Sequence, residues 1–384
     1  MAAEIKTGDR TNGDRKVRMP GPAAIKGRGA ASYVAGRFEK TISHGEDDGW
    51  GSLHARDDTE SLPALATQVS EERARSIISR NDSPDIGFSQ SVNPYRGCEH
   101  GCVYCFARPS HAYLDLSPGL DFETRLFAKT NAAEQLRAEL AKPGYLPSPI
   151  TLGINTDAYQ PIERRYRITR QCLEVLAACA HPVTFVTKSA LIARDLDLLA
   201  PMAQKNLVKV FVSIGTLDRD LARKLEPRAA SPQRRLDVLR SLSNAGVPCG
   251  VMVAALIPAL NDKTMEQVLE AAAAAGAAEA AYVVMRLPNE LKTLFKEWLA
   301  EHYPQRAEHV MSIVRQMRGG RENDPNFGTR MSGTGNYAEL MEKRFDIACR
   351  RLGLNARDGA GRERPDLDCS RFRPPGPEGQ LKLL

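Results

Sequence analysis

No apolar run in these 384 residues reaches the roughly 18 needed to span a bilayer. The opening stretch, MAAEIKTGDRTNGDRKVRMPG, also lacks the apolar core of a secretory signal. The expectation is therefore a cytoplasmic protein with no membrane partner. Cysteine is scarce: eight thiols in 384 residues exclude a disulfide-built miniprotein. Three of them fall in one eight-residue window and five are scattered, which points to a ligand cluster plus incidental thiols in a reducing compartment. Charge of one sign is in little excess, and a net charge of +6 permits a polyanionic substrate such as nucleic acid without requiring one. Hydrophobic residues at 42% and charged ones at 26% are ordinary for a globular chain, long enough here for one large catalytic domain with extensions.

Regular apolar spacing is missing from 1–79, so this stretch is expected to be an N-terminal arm, largely extended or disordered. Within it, IKGRGAASYVAGRFEKT sets Tyr33, Val34 and Phe38 between basic residues and offers a segment able to dock onto the main domain. After Pro84 the texture changes to short β-branched runs alternating with amphipathic stretches, the rhythm of βα units. The strand candidates are 87–92, 150–154, 183–187, 208–214, 249–256 and 281–285. Between them, SPQRRLDVLRSLSNAG reads as a helix capped by Ser231, with Pro232 in its first turn, Leu236, Leu239 and Leu242 on one face and Gly246 as its stop. NDKTMEQVLEAAAAAG repeats the logic with Asp262 as cap and Gly276 at the end. Parallel strands with helical crossovers give a closed or partly closed barrel or an open doubly wound sheet. The pattern alone leaves both open. The region 332–384 reads as a helix, with Leu340, Phe345 and Ala348 on or near one face, followed from about residue 355 by a mobile tail.

The chemistry is concentrated in NPYRGCEHGCVYCFAR, where Cys98, Cys102 and Cys105 follow a predicted strand at spacing CxxxCxxC. Three thiolates on one loop can hold three irons of a cubane, and a fourth iron without a protein ligand is an open coordination site of the catalytic kind. A zinc site using the same cysteines with His100 or His111 as fourth ligand competes, although paired CxxC units and HxxxH spacing are absent. Thiols that are merely buried fit poorly with a loop containing Glu99, His100 and two glycines.

The cysteine spacing, Tyr104 before the third cysteine and the six βα units resemble the radical SAM superfamily over about 84–331. The resemblance implies a core domain folded as a partial (β/α)6 TIM-like barrel, with the N-terminal arm and a C-terminal helical extension around it. It further implies a 4Fe-4S cluster whose unique iron binds S-adenosylmethionine (SAM) through its amino and carboxylate groups. An electron, from a donor such as flavodoxin or ferredoxin, would split the sulfonium to a 5′-deoxyadenosyl radical that abstracts hydrogen from an unknown substrate. NPYRGC, LGINTDAYQPIE and VTKS are similar to the spore photoproduct lyase-like branch. KGRGA, SHAYLDLSPGLDFETRLFAK and DPNFGTRMSGTG extend that likeness to an uncharacterised bacterial subgroup of the branch over nearly the full chain.

Carried over by position, Thr156 and Asp157 stand where the superfamily places a Gly-Gly-Glu that binds SAM, and Asp157 is the expected partner of the methionine ammonium. Lys188 and Ser213, at the ends of the third and fourth strands, match positions that hold the SAM carboxylate and ribose, and Tyr104 joins them in the cofactor set. The chain departs from the photoproduct lyase itself, which carries a hydrogen-donating cysteine at the second strand; LGINTD has Ile154 and Asn155 there. A photoproduct radical would therefore have no thiol there to quench it, which counts against DNA photoproduct repair. Repair or modification of a nucleic-acid base, suggested by fold analogy and the weak basicity, stands as an alternative activity, and a non-catalytic zinc or Fe-S binding module as an alternative of another class. Glu226, Arg228 and the basic run Arg164, Arg165, Arg167 and Arg170 read either as contacts for a carboxylate or phosphate or as a solvated face, and Tyr95 and Arg96 either line the cavity or pack under the loop. Cys172 and Cys179 share a helix face and read as core.

Overall fold

β-branched residues suit a pleated surface covered on both faces, so near-continuous runs such as VTFVT and VKVFVS belong in a buried parallel sheet. In the computed structural model, which describes residues 25, 27–39, 65–356 and 366–376, they form its centre. The ten strands are β1 (Gln68–Glu72), β2 (Ile78–Arg80), β3 (Gln90–Val92), β4 (Tyr95–Arg96), β5 (Arg125–Lys129), β6 (Ile150–Leu152), β7 (Val183–Thr187), β8 (Val208–Ser213), β9 (Cys249–Leu256) and β10 (Glu279–Val284). A seven-stranded sheet runs β10-β9-β8-β7-β6-β3-β2. All its neighbours are parallel except β2, which pairs antiparallel with β3. Five of the six parallel strands lie in their predicted segments, β3 and β6 being shorter than expected, and β10 overlaps its segment but begins two residues earlier. They stand in chain order, so all six C-terminal ends share one edge of the sheet, where α/β active sites collect. Among the described residues no helix is long and apolar enough to cross a membrane.

A smaller sheet, β1-β5-β4, lies before and beside the cysteine loop. Its first strand falls within the segment read from sequence as the arm, and β2 straddles that segment's end. β1 is recruited by a distant partner, pairing parallel with β5 from Gln68↔Arg125 to Glu72↔Lys129. Most of that arm lies outside the described residues. One described part of it, 27–39, docks on the main domain: Leu120 N donates to Ser32 O (3.2 Å), Ser117 Oγ to Val34 O (2.8 Å) and Ser32 Oγ to Glu297 (2.6 Å).

Helix Pro232–Asn244 forms as its caps dictate, with Ser231 Oγ accepting from Arg234 N and Leu236, Leu239 and Leu242 buried. Asp262 does not cap helix Met265–Ala274. It opens a 3-10 turn, Asp262–Thr264, and its carboxylate accepts instead from Tyr337 of the C-terminal helix (2.5 Å). That helix, Asn336–Leu352, lies against Met265–Ala274 through Arg344 and Glu266 (2.7 Å) and buries Met341, Phe345, Ala348 and Cys349. Leu340 is 52% exposed, since the buried phase runs through Met341. Within the segment read as a mobile tail, residues 366–376 dock: the Phe372 ring packs edge-on to His181 and close to Tyr145, and Arg373 N donates to Cys179 O (2.8 Å).

The seven-stranded sheet has β10 and β2 as its edges, and residues 324–334 bridge them. Val284 N donates to Met331 O (2.8 Å) on one side. On the other, Arg330 holds Asp85, in the loop between β2 and β3, with two bonds of 2.7 and 2.6 Å. The guanidinium keeps the Asp85 carboxyl below its ordinary range. Because the folded value is depressed, this contribution is whole above an ordinary carboxylate value of about 4 and is lost as pH falls below it. Asp85→Asn should therefore lower the urea midpoint at pH 7 and narrow its difference from wild type on acidification below pH 4. An unchanged midpoint at pH 7 would show that the seam is not held by this pair.

Candidate metal centre

The loop that carries Cys98, Cys102 and Cys105 leaves β4 and is tied down by groups other than its sulfurs. Cys98 N donates to Phe122 O (2.9 Å) and Val103 N to Leu225 O (3.0 Å). The Gln160 side chain brackets Cys98, accepting from Glu99 N (2.9 Å) and donating to Gly97 O (3.0 Å). Arg108, fully buried, gathers the loop's carbonyls: Nε donates to Cys102 O (2.8 Å), Nη2 to Gly101 O (3.0 Å) and Nη1 to Gly119 O (2.8 Å). Its charge is matched by Glu123, also fully buried, at 2.5 Å. The docked arm completes this pair, since Gly29 N and Ala30 N donate to the two Glu123 oxygens (3.0 and 2.8 Å). The approach is close enough that a Cβ on Gly29 would stand 1.8 Å from Gly101 O, and one on Gly101, at φ +68°, 2.6 Å from Glu123.

Around this loop the sheet's C-terminal edge supplies polar groups. Asp157, following β6, has its carboxylate acceptor sites filled by Tyr159 N (2.9 Å), Thr187 Oγ1 (2.8 Å), Lys188 N (2.7 Å) and the His100 ring (3.3 Å). Burial alone would raise its pKa, but His100 and the donors from Lys188 and Thr187 outweigh it and bring it to about 2. A carboxylate has about four acceptor positions, so Asp157 here joins β6 to β7 and to the cysteine loop. The expected free acceptor for a ligand ammonium is thereby already committed to the protein. Thr156 Oγ1 donates to Tyr95 O (3.3 Å) and Ser213 Oγ to Ala254 O (3.1 Å), both buried.

Lys188 follows β7 with its ammonium 5.8 Å from the centre of the Tyr104 ring. Burial opposes its charge, and the neighbouring Cys102 and Glu226 more than compensate, leaving its pKa raised. Tyr104 OH donates to Glu226, which Arg235 also holds, while Arg235 extends to Ser213 O (2.8 Å) and Ala230 O (2.7 Å). Tyr104, Glu226 and Arg235 are all buried beside Cys102. Glu226 is thus internal, and Arg228 is engaged with Glu99 (2.6 Å). Tyr95 packs under the loop with its hydroxyl on Glu163, whereas Arg96 pairs with Glu72 (2.9 Å) on the outside. Of the basic run, Arg170 is spent on Asp195 (2.8 Å) and Asp197 (2.6 Å). Arg164 and Arg165 are exposed.

Burial pushes the Cys98 thiol well up and the Cys102 thiol to about 12. Free thiolates are disfavoured in such a place, and cations that bind the sulfurs remove the penalty. Cys98 and Cys102 are buried and Cys105 is partly exposed, and among the described residues no three His, Cys, Asp or Glu side chains converge closely enough to hold a metal ion. The chemistry of the donor set, three thiols on one loop, is nonetheless that of an iron–sulfur group with three thiolate ligands. Arg108, Glu123, Gln160 and Arg235 were not singled out from sequence. Arg108, Glu123 and Gln160 fall inside the motifs quoted above without a periodicity to mark them, whereas Arg235 stands at i, i+4 and i+7 with Leu239 and Leu242 on an apolar face.

With this geometry in hand, comparison with known proteins adds four findings. The sequence model of the Radical SAM superfamily matches residues 92–272, all three cysteines included. An uncharacterised protein of Mycobacterium tuberculosis (strain ATCC 25618 / H37Rv) is 40% identical over 233 residues, covering 60% of this chain and 68% of its own. A "Radical SAM Nalpha-GlyT isomerase" of Pseudomonas phage M6 is 28% identical over 185 residues, 45% of this chain and 35% of that one. Among solved structures, spore photoproduct lyase complexed with dinucleoside spore photoproduct superposes with a TM-score of 0.54 at 16% identity, over 74% of this chain and 80% of that chain. At that identity the likeness concerns the fold.

Proposed function

Because the chain belongs to the radical SAM superfamily, we propose that it is an enzyme in which Cys98, Cys102 and Cys105 each bind one iron of a 4Fe-4S cluster and SAM serves as cofactor. When bound, that pair supplies a one-electron reductive cleavage to a 5′-deoxyadenosyl radical, which takes a hydrogen atom from the substrate. The observation that carries the reading is the position of the three thiols, on one loop at the C-terminal edge of six parallel strands with Cys98 and Cys102 buried.

The chain's own residues hold and orient. Lys188 brings a positive charge to the rim of the loop, where it suits the SAM carboxylate, and Tyr104 and Glu226 fix the wall behind it. Ser213 Oγ keeps its lone pairs for a ribose hydroxyl after donating to Ala254 O. Thr156 lies on the methionine side. Asp157 acts on that same side by fixing the Lys188 backbone and the His100 ring. A small protein donor such as flavodoxin or ferredoxin in the cytoplasm would supply the electron.

The test is anaerobic purification, iron and sulfide analysis, then dithionite with SAM. About four irons per chain and release of 5′-deoxyadenosine are expected. Zinc in place of iron, or SAM left intact after reduction, would overturn the reading.

A further inference from the structure

Arg286 stands two residues beyond β10, at the C-terminal end of the last parallel strand. Its guanidinium lies 6.0 Å from the centre of the Phe106 ring, and Phe106 directly follows Cys105. Its Nε is buried without a hydrogen-bond partner, and Nη1 reaches the sulfur of Met331 at 3.8 Å. A thioether is a weak acceptor. By contrast, the neighbouring buried Arg318 is satisfied by Thr329 O (2.9 Å) and Met285 O (3.1 Å). The local charges do not compensate. Arg286 feels Arg330 and Arg318 on one side and Asp85 and Asp324 on the other, so three guanidiniums face two carboxylates. Asp85 is chelated by Arg330, and Asp324 accepts from Thr329 Oγ1 (2.6 Å) and Asn326 N (3.0 Å). Among the described residues Arg286 pairs with no carboxylate.

A half-buried guanidinium left without an oxygen acceptor is unfavourable by itself, and its planar fork matches a carboxylate or phosphate. We infer that Arg286 anchors an oxyanion of the substrate, a carboxylate or a phosphate, beside Cys105. The Phe106 ring, 45% exposed, faces the apolar part of the same molecule. The inference rests on the proposed function for calling that molecule the substrate. It separates this anion from the carboxylate assigned to Lys188, since β8 and β9 lie between β7 and β10, a span of about 14 Å at roughly 4.8 Å per strand.

Inorganic phosphate and acetate serve as probes of the full chain, with binding read by thermal shift and by NMR line broadening of the anion. One of them should bind wild type saturably, and which one names the substrate's class. Arg286→Met should weaken that binding about tenfold or more, with Arg286→Lys recovering part of it, because charge is restored without the fork. Binding of neither anion to wild type, or equal binding to R286M, would overturn the inference. So would a tenfold loss of SAM affinity in R286M by equilibrium dialysis, which would assign the residue to the cofactor. The anion measurements need no iron. A preparation holding zinc with its anion response intact would sink the proposed function and leave Arg286 as an oxyanion site.

Discussion

Alanine at Cys98, Cys102 and Cys105 together yields a folded protein that holds no iron and releases 5′-deoxyadenosine only at background. The chain should survive the change because the loop is fixed by Arg108, Gln160 and backbone bonds to Phe122 and Leu225. Removing a sulfur from a small buried site costs about 1 kcal/mol each, well within the stability of a domain this size. The chemistry does not survive, because three irons of the proposed group each need a protein thiolate and these three positions are the ones that supply them. Alanine at Cys105 alone, the most exposed of the three, should deplete iron as severely as the triple change. Iron content, visible absorbance and product release decide the matter. A triple variant that stayed brown and still split SAM would dismiss these cysteines as ligands.

The candidate ligands were legible because ligand spacing is local: a loop must present its sulfurs within a few residues, and CxxxCxxC records that directly. The parallel strands were legible for a related reason. Val183, Phe185, Val208, Val210 and Val251 are fully buried on one face of the sheet, with Thr184, Val186, Lys209 and Phe211 between them half-buried, so β-branched composition marks them. The short strands around the loop were not. β1 and β5 exist because Gln68–Glu72 meets Arg125–Lys129, a pairing that neither segment's composition announces. Asp157 shows the limit within the site: its position at the end of β6 was readable, whereas its saturation by Thr187, Lys188, Tyr159 and His100 depends on where β7 and the cysteine loop lie.

Glu123→Gln should destabilise the protein by about 3–5 kcal/mol, the cost of stranding a buried partner's charge. The carboxylate is fully buried and accepts from Arg108 (2.5 Å), Gly29 N (3.0 Å) and Ala30 N (2.8 Å). An amide of the same shape keeps one oxygen, yet its NH2 must face either Arg108 or the Gly29 amide, setting donor against donor. Arg108 then carries an unmatched charge while still holding Cys102 O and Gly101 O, so the loss is transmitted to the cysteine loop and the docked arm together. Urea unfolding measures the first effect. Iron retention after gel filtration measures the second, and protease cleavage within 27–39 the third. The variant Arg108→Met with Glu123→Leu should be less damaged in urea than Glu123→Gln, since no buried charge is left alone, but it should still shed iron because the loop carbonyls have lost their common donor. If Glu123→Gln matched wild type within about 1 kcal/mol and kept its arm resistant to protease, the ion pair would not be what holds the loop.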